Sequence, residues 1–170
     1  MRSMNGMYQD SVRSTRLLPK AVAEPAAEVR GGGRRDLRRG LTPAELDRVQ
    51  ARLEHLPSGE RALIEAMFLD HKTAVQIAAL AGRDPRKVRG EIRRVVDRML
   101  SPKFAFVLRR GDAWPTTRRK VAHACVLWGF SARVAAKELG ISLHAVRRQV
   151  DAIHAMFEAE GLLAGSNRAA

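Results

Sequence analysis

Apolar residues recur every three or four positions through residues 41–100, which is the spacing of amphipathic helices. Capping residues or prolines mark three helix starts, at Thr42-Pro43, Thr73 with Gln76, and Asp84-Pro85, and a further helix is predicted to begin near Ser58. The predicted stops are Pro57, Gly82 and Leu100. The pattern therefore predicts four helices, and the fourth has a buried stripe of Val88, Ile92, Val95, Val96 and Met99.

Residues 101–161 continue the helical pattern, with one ambiguous segment. Ser101-Pro102 can start a helix, but the apolar run FAFVL is too short for periodicity to separate a helix from a strand. We expect residues 101–115 to form a linking segment that packs between its neighbours. Further helices are predicted to start at Thr116 or Thr117, at Ser131 and at Ser142, and residues 162–170 are predicted to form a frayed tail.

One pattern of small and apolar residues occurs twice in the chain. Residues 60–94 match residues 118–152 without a gap, at an offset of 58 positions. The offset aligns Ala78 with Ala136, Gly82 with Gly140, Val88 with Val146 and Ile92 with Val150. Few polar residues agree, so the two copies indicate one shared fold with different contacts to partners.

The aligned residues are those that a tight helix-to-helix corner requires. A small residue lets the second helix pass closely, a glycine accepts positive φ in the turn, and an apolar residue fills the angle. Two copies in register, each with a capped second helix, predict an all-α protein with two tandem helix-turn-helix modules of three or four helices. We place these modules at residues 41–100 and 116–161.

The segment Leu56-Pro57-Ser58-Gly59-Glu60-Arg61-Ala62-Leu63-Ile64, with Gln76-Ile77-Ala78-Ala79-Leu80-Ala81-Gly82, resembles the C-terminal promoter-binding domain of bacterial sigma factors. The second copy, AAKELGIS at residues 135–142, is similar to that domain and to LuxR-type regulator domains. The resemblance covers residues 41–100 and 115–160 and implies two DNA-binding helix-turn-helix modules. The chain departs from the pattern at Arg83 and Gly90, and residues 1–40 do not resemble the sigma domain that binds core polymerase.

Charge makes a polyanion the expected partner. Lys and Arg number 31 against 18 Asp and Glu, which gives a net charge of +13. The aromatic share of 5% is too low to favour stacking on single-stranded nucleic acid. No apolar run is long enough to span a bilayer, and the first residues lack the apolar core of a signal peptide. We therefore expect a cytoplasmic, nucleoid-associated protein that does not bind membranes.

Residues 1–40 show no sustained apolar period and include Pro19, Pro25 and the run Gly31-Gly32-Gly33. They are predicted to form a disordered tail with a basic end containing Arg30, Arg34, Arg35, Arg38 and Arg39. Such an arm can lie along phosphates, and a solvated linker is the alternative.

In the resembled families the second helix of each motif enters the major groove of DNA. The outward face of this helix and the positions beside it give our candidate DNA-binding residues, with a solvated basic face as the alternative. In the first copy they are Arg83, Arg86, Lys87, Arg89, Arg93 and Arg94, and we also expect Arg98 to reach phosphates. In the second copy they are Arg133, Lys137, Ser142, His144, Arg147 and Arg148.

No pattern in the chain indicates catalysis, a cofactor or a metal site. His123 and Cys125 have no second pair of ligands nearby, and Cys125 aligns with Met67, so we expect a buried thiol on a core face. Trp114 and Trp128 are predicted to be packing anchors. A phosphate-binding glycine loop and a nucleophile motif are both missing.

We therefore expect a non-enzymatic transcription regulator that binds double-stranded DNA in a sequence-specific manner through one or both modules. The alternatives are an adaptor that docks on RNA polymerase or another protein, and the DNA-binding subunit of a phage or mobile-element DNA-processing system. The target sequence and the oligomeric state are left open.

Overall fold

The structure is a computed structural model that describes residues 37–166, with side chains for 37–162 except Arg39. This part of the chain is helical and contains no strand, which confirms the predicted all-α class. The α-helices are α1 Pro43–Ala51, α2 Ser58–Phe68, α3 Ala74–Leu80, α4 Pro85–Leu100, α5 Pro102–Arg110, α6 Thr116–Ala122, α7 Ala132–Leu139 and α8 Leu143–Ser166. Single 3₁₀ turns span Leu37–Gly40, Leu53–His55 and Gly111–Ala113, and a π-helical turn at His123–Leu127 extends α6.

Short polar side chains start most of these helices, as the sequence predicts. Thr42 with Glu45 and Thr73 with Gln76 form capping boxes, in which each threonine hydroxyl and each carboxylate or amide accepts a backbone N–H. The remaining side-chain caps are Asp84, Ser101, Ser131 and Ser142. These local hydrogen bonds explain why the predicted starts at these positions are confirmed. Helices α2 and α6 start as predicted at Ser58 and Thr116, but they follow Pro57 and Pro115 and have no side-chain cap.

The ambiguous segment FAFVL is helical and belongs to α5. The side chains of Phe104, Phe106 and Val107 are buried, while Arg109 and Arg110 at its end are exposed and pair with Glu160. The segment therefore builds the core, and packing of three large apolar side chains on one helical face decides its conformation.

The order of elements in residues 42–100, which we call the first half, recurs in residues 101–166, the second half. The 3₁₀ turns at Leu53–His55 and Gly111–Ala113, and the starts of α2 and α6, are 58 positions apart. Helices α1 and α5 are both nine residues long and start 59 positions apart. Segment 101–115, which we predicted to link and pack between its neighbours, therefore has the same order of elements as α1 and its turn.

The turns of the two halves share main-chain hydrogen bonds as well as order. After α2, the N–H of Lys72 donates to the Ala66 carbonyl at 2.9 Å, and Phe130 donates to Ala124 at 2.9 Å. The residues just before them, His71 and Gly129, both have positive φ, at 55° and 70°. One backbone path therefore follows α2 and α6, although one half uses histidine where the other uses glycine.

The corner after α3 matches the corner after α7. Arg83 N–H donates to Ala78 at 2.9 Å and Ile141 N–H to Ala136 at 3.1 Å, across glycines with φ of 62° and 64°. This six-to-one bond around a left-handed glycine is the Schellman ending of a helix. The prediction of positive φ at Gly82 and Gly140 is confirmed.

One continuous core joins the two halves. Val49, Ile64, Ile92, Phe104, Leu127 and Ile153 are all fully buried within it. Arg98 of α4 pairs with Glu60 of α2 and lies against the backbone of Gly129 in the second half. Arg52 donates to the Met99 carbonyl at the end of α4 and lies 5.6 Å from the ring centre of Phe104. The halves are thus packed together by both apolar and cationic side chains.

Two boundary expectations need adjustment. The predicted disordered tail falls outside the described residues up to position 36, but Leu37–Gly40 form a 3₁₀ turn and Leu37 packs on the core. At the other end, α8 continues to Ser166 instead of fraying from residue 162, and residues 167–170 lie outside the description. Apolar contacts at residue 37 and continuous helical hydrogen bonding in α8 account for these differences.

Cys125 is half-buried, not buried as predicted from its alignment with Met67. The π-helical turn accounts for this difference, because it changes the helical twist along His123–Leu127. Ala124 and Leu127 are the fully buried residues of this turn instead. The predicted packing of Trp114 and Trp128 is confirmed by ring contacts at 5.6 Å with Phe106 and Phe130.

Candidate nucleic-acid interface

The outward face of α4 is a surface of cationic side chains. Because Val88, Ile92, Val95, Val96 and Met99 are buried, the helical period turns the basic residues to solvent. Arg86, Lys87, Arg93 and Arg94 are exposed and Arg89 is half-buried at the flank. Five of the predicted site residues are therefore brought together on one helix face.

Asp84 fixes the start of this helix. Its carboxylate accepts the backbone N–H of Arg86 at 2.7 Å and of Lys87 at 3.0 Å. The hydrogen bond from Lys87, with that from Arg86, lowers the pKa of Asp84 below its ordinary value. An ionised aspartate thus occupies the N-terminal end of α4, where the free N–H groups of a helix would otherwise bind an anion. An external anion would therefore bind to the basic side chains of the exposed face.

Arg83 stands in the turn before α4 and forms an ion pair with Glu91. Its side chain is 42% exposed, while that of Glu91 is 28% exposed. Sequence reasoning selected Arg83 but missed this pairing, since the two residues are eight positions apart across a turn. Glu91 partly neutralises Arg83 and holds it against the N-terminal part of α4.

Arg98 does not belong to the exposed face, in contrast to our prediction. Its side chain is 20% exposed, pairs with Glu60 and contacts Gly129. The helical period places position 98 at the border of the buried stripe, and only the packing of α2 and the Gly129 turn encloses it. Arg98 therefore joins the halves and is not available to phosphates.

Gly90 lies in the middle of the basic face, one helical turn from Arg86, Arg93 and Arg94. A Cβ atom built at Gly90 would meet nothing within 4 Å. Nε of Arg94 donates to the Gly90 carbonyl at 3.3 Å, so this arginine folds back along the helix. The face thus has a gap at its centre in which the helix backbone is open to solvent.

The outward face of α8 has the same register but less charge. His144, Arg147 and Arg148 are exposed, and Arg133 and Lys137 are exposed on α7. At the 58-position offset, Asp151 and Ala152 stand where α4 has Arg93 and Arg94. The hydroxyl of Ser142 accepts the Ala145 N–H at 3.1 Å, so this candidate residue serves as the cap of α8.

A shallow apolar groove of about 250 Å³ lies between α2 and α3, and its lining includes Ala66, Ile77, Ala81, Lys72 and Leu80. Leu80 is 75% exposed at its edge. The second half has Phe130 and Leu139 at the positions of Lys72 and Ala81, and both pack on the core. An alignment of the two copies shows that these residues differ. Only the three-dimensional packing shows that the residues of the first half line an apolar groove.

The titratable groups in the middle of the second half are not grouped as a reactive site. Burial lowers the pKa of His123 and raises that of the Cys125 thiol, which favours the uncharged form of both. Within residues 37–166, no three side chains from His, Cys, Asp and Glu are gathered as metal ligands would be. Over the same residues, every helix is too short or too polar to cross a bilayer.

The chain matches no family model, no curated protein and no solved structure in the three comparisons with known proteins. The resemblance to sigma-factor and LuxR-type domains therefore stays a prediction from the residues quoted above.

Proposed function

We propose that this protein binds double-stranded DNA in a sequence-specific manner and acts as a transcription regulator without catalytic activity. The observation that carries the proposal is the face of α4, where Arg86, Lys87, Arg93 and Arg94 are all exposed on one amphipathic helix. Lys and Arg side chains that neutralise phosphates supply most of the affinity of such proteins for DNA.

The corner geometry supports a helix-turn-helix interpretation of both halves. In each half, a short helix ends in a Schellman turn at a left-handed glycine, and a longer helix with a side-chain cap follows. In proteins of that class, the second helix lies in the major groove and its N-terminal residues contact base edges. Helices α4 and α8 would take this role.

The two halves would contribute unequally. The α4 face offers Arg86, Lys87, Arg93 and Arg94 to phosphates and base edges, whereas α8 offers Arg147 and Arg148 next to Asp151. We therefore expect α4 to dominate affinity, and α8 to add a second, weaker contact. Tethering of two weak contacts on one chain raises their joint affinity.

The first test is selection of bound duplexes from fragmented genomic DNA at physiological salt, followed by sequencing. A recovered motif with two elements is expected if both halves contact bases, and a single short element if only α4 does. Recovery without any motif would remove sequence-specific regulation and leave an architectural or DNA-processing role.

A second test removes charges from the α4 face. Arg86→Ala and Arg93→Ala should each lower affinity, and each lost phosphate contact should reduce the slope of log K against log salt by about 0.9. The matched control is Arg109→Ala, which removes an exposed arginine from α5. Equal effects of all three variants would indicate a general charge effect and would contradict the assignment to α4.

A second candidate function is an adaptor in which the second half binds a protein such as RNA polymerase. The observation that favours it is the low charge of the α8 face, with Asp151 and Ala152 at the positions of Arg93 and Arg94. Arg147→Ala and Arg148→Ala would then reduce retention of polymerase in a pull-down and leave duplex affinity unchanged. Loss of duplex affinity without loss of polymerase would favour the first candidate.

A further inference from the structure

Gly90 is a residue that the folded chain itself does not require. A glycine inside a helix makes the helix less stable than an alanine would, because glycine loses more backbone conformational entropy on folding. Gly82, Gly129 and Gly140 have positive φ and therefore need the freedom of glycine, but Gly90 lies inside α4 with helical backbone. A Cβ at Gly90 would also meet no neighbouring atom within 4 Å, so packing does not exclude alanine.

The hydrogen bond from Arg94 to the Gly90 carbonyl does not explain the glycine either. In α1, Nε of Arg48 donates to the Ala44 carbonyl at 3.1 Å, with the same spacing of four residues. Ala44 has a Cβ atom, so this side-chain arrangement forms equally well over alanine. Backbone conformation, packing and hydrogen bonding inside the chain thus all leave the glycine unexplained.

The surroundings of Gly90 are those of a polyanion contact. Arg86, Arg93 and Arg94 lie one turn away on the same exposed face, and Arg89 precedes Gly90. At the equivalent position of the second half stands Arg148, whose long side chain would hold a ligand away from the backbone of α8. At this position a ligand can therefore approach the backbone of α4 more closely than the backbone of α8.

We propose that duplex DNA packs directly against the backbone of α4 at Gly90, in the space that a Cβ atom would occupy. This inference rests on the proposed function and adds to it that α4 enters the groove more deeply than α8. Glycine is used where a ligand must approach the backbone closely. The surrounding arginines bind phosphates on either side of this contact.

The test uses the full chain and the duplex that is most enriched in the genomic selection. Gly90→Ala is expected to weaken binding about tenfold and Gly90→Leu about a hundredfold or more, because each side chain occupies space that the DNA takes at Gly90, while the long arginine side chains still reach the phosphates. Neither variant changes charge, so the slope of log K against log salt should stay that of the unsubstituted chain. Both variants should unfold at a slightly higher temperature, since alanine and leucine favour helix.

The matched control is Gly161→Ala in α8, another helical glycine whose Cβ would meet nothing within 4 Å. It should leave DNA affinity unchanged. Gly90 variants that are more stable and bind as tightly as the unsubstituted chain would overturn the inference while the proposed function stands. If the unsubstituted chain shows no salt-dependent binding to any duplex, the proposed function fails and the inference fails with it.

Discussion

Left-handed backbone positions show where single residues decide local stability. The turn after α2 places His71 at φ of 55°, whereas the equivalent turn after α6 has Gly129. A residue with a Cβ pays about 1–2 kcal/mol for this conformation. The first half thus has a strained position that the second half avoids, and the strained side chain lies 3.4 Å from the Arg38 guanidinium.

His71→Gly is expected to stabilise the protein by about 0.5–1 kcal/mol. Relief of the left-handed strain exceeds the added entropy of the unfolded chain, which is roughly 0.5–1 kcal/mol. Chemical unfolding of both proteins measures the difference. Gly82→Ala, at φ of 62°, is the reverse control and should destabilise. A lower stability for His71→Gly would show that the His71 side chain makes contacts worth more than its strain.

Gly129→Ala should destabilise the protein more than Gly140→Ala does. Both glycines have similar positive φ, but a Cβ at Gly129 would collide with the Arg98 guanidinium, whereas one at Gly140 meets nothing within 4 Å. We expect a loss of about 1–2 kcal/mol at Gly140 and roughly 1 kcal/mol more at Gly129, where the ion pair with Glu60 is disturbed.

A double-mutant cycle separates the two contributions at Gly129. In the Arg98→Ala background the collision disappears, and Gly129→Ala should then cost about as much as Gly140→Ala, roughly 1–2 kcal/mol. An undiminished cost in that background would mean that backbone strain alone distinguishes the two glycines.

The pKa of His123 predicts a pH dependence of stability. Burial lowers the pKa of the folded imidazole, with smaller contributions from His55 and Arg119. The unfolded chain then binds the proton more readily, so stability is complete above the ordinary pKa of about 6.5 and decreases as pH falls below it. His123→Gln should lose less stability than the unsubstituted chain between neutral and mildly acidic pH. Parallel pH profiles in urea unfolding would contradict this assignment.

At the scale of the elements, α4 combines a buried stripe with a charged face that can be predicted from its sequence. Helical periodicity does not show which of these charged side chains are already paired within the protein. Arg83 is held by Glu91, and Arg98 by Glu60, across loops and between helices. The usable charge of the face is therefore smaller than the count of basic residues suggests.

Glu91→Gln should raise DNA affinity by about three- to fivefold at low salt, because it releases Arg83 from its ion pair, whose worth is below about 1 kcal/mol. Binding assays with the selected duplex measure the change. Asp97→Asn is the matched control. It makes the same charge change on the exposed side of α4, and Asp97 takes part in none of the ion pairs found among the described residues. Equal gains from both variants would show that only net charge matters.

Helix α5 can be matched to α1 by its place in the fold, although the sequences of the two helices differ. Its start at Ser101-Pro102 repeats the start of α1 at Thr42-Pro43, but the two helices share little else in sequence. Sequence comparison therefore found the repeat only from residue 60 onward. Shared length, position and the following 3₁₀ turn identify α5 as the counterpart of α1 once the chain is folded.

At the scale of the whole molecule, the two halves share one core. Residues from α1, α2 and α4 are buried together with residues from α5, α6 and α8. Arg52 and Arg98 add polar contacts between these groups of helices. Independent folding of either half would expose large apolar side chains, which favours a single cooperative transition.

The positions of the tryptophans make this cooperativity measurable. Both tryptophans of the chain, Trp114 and Trp128, lie in the second half. Ile64→Ala, in the core of the first half, should lower stability by about 2–5 kcal/mol and shift the fluorescence transition together with the circular-dichroism transition. A fluorescence transition that stays in place while the circular-dichroism transition becomes biphasic would show that the halves unfold separately.

The sequence by itself determined the features that depend on neighbours a few positions apart. The helix starts at Thr42, Thr73, Asp84 and Ser131, and the left-handed turns at Gly82 and Gly140, follow from local hydrogen bonds and from the steric freedom of glycine. The exposed face of α4 follows from helical periodicity. Short-range physics is enough for these features, so the predictions hold.

Only the tertiary structure decided the features that join distant residues. The burial of Arg98 between Glu60 and Gly129, the half-exposure of Cys125 and the role of α5 in the core all depend on how helices pack. The gap at Gly90 became meaningful for the same reason, because packing showed that no neighbour needs the missing side chain. Periodicity gives the direction of a side chain, but packing decides what that side chain meets.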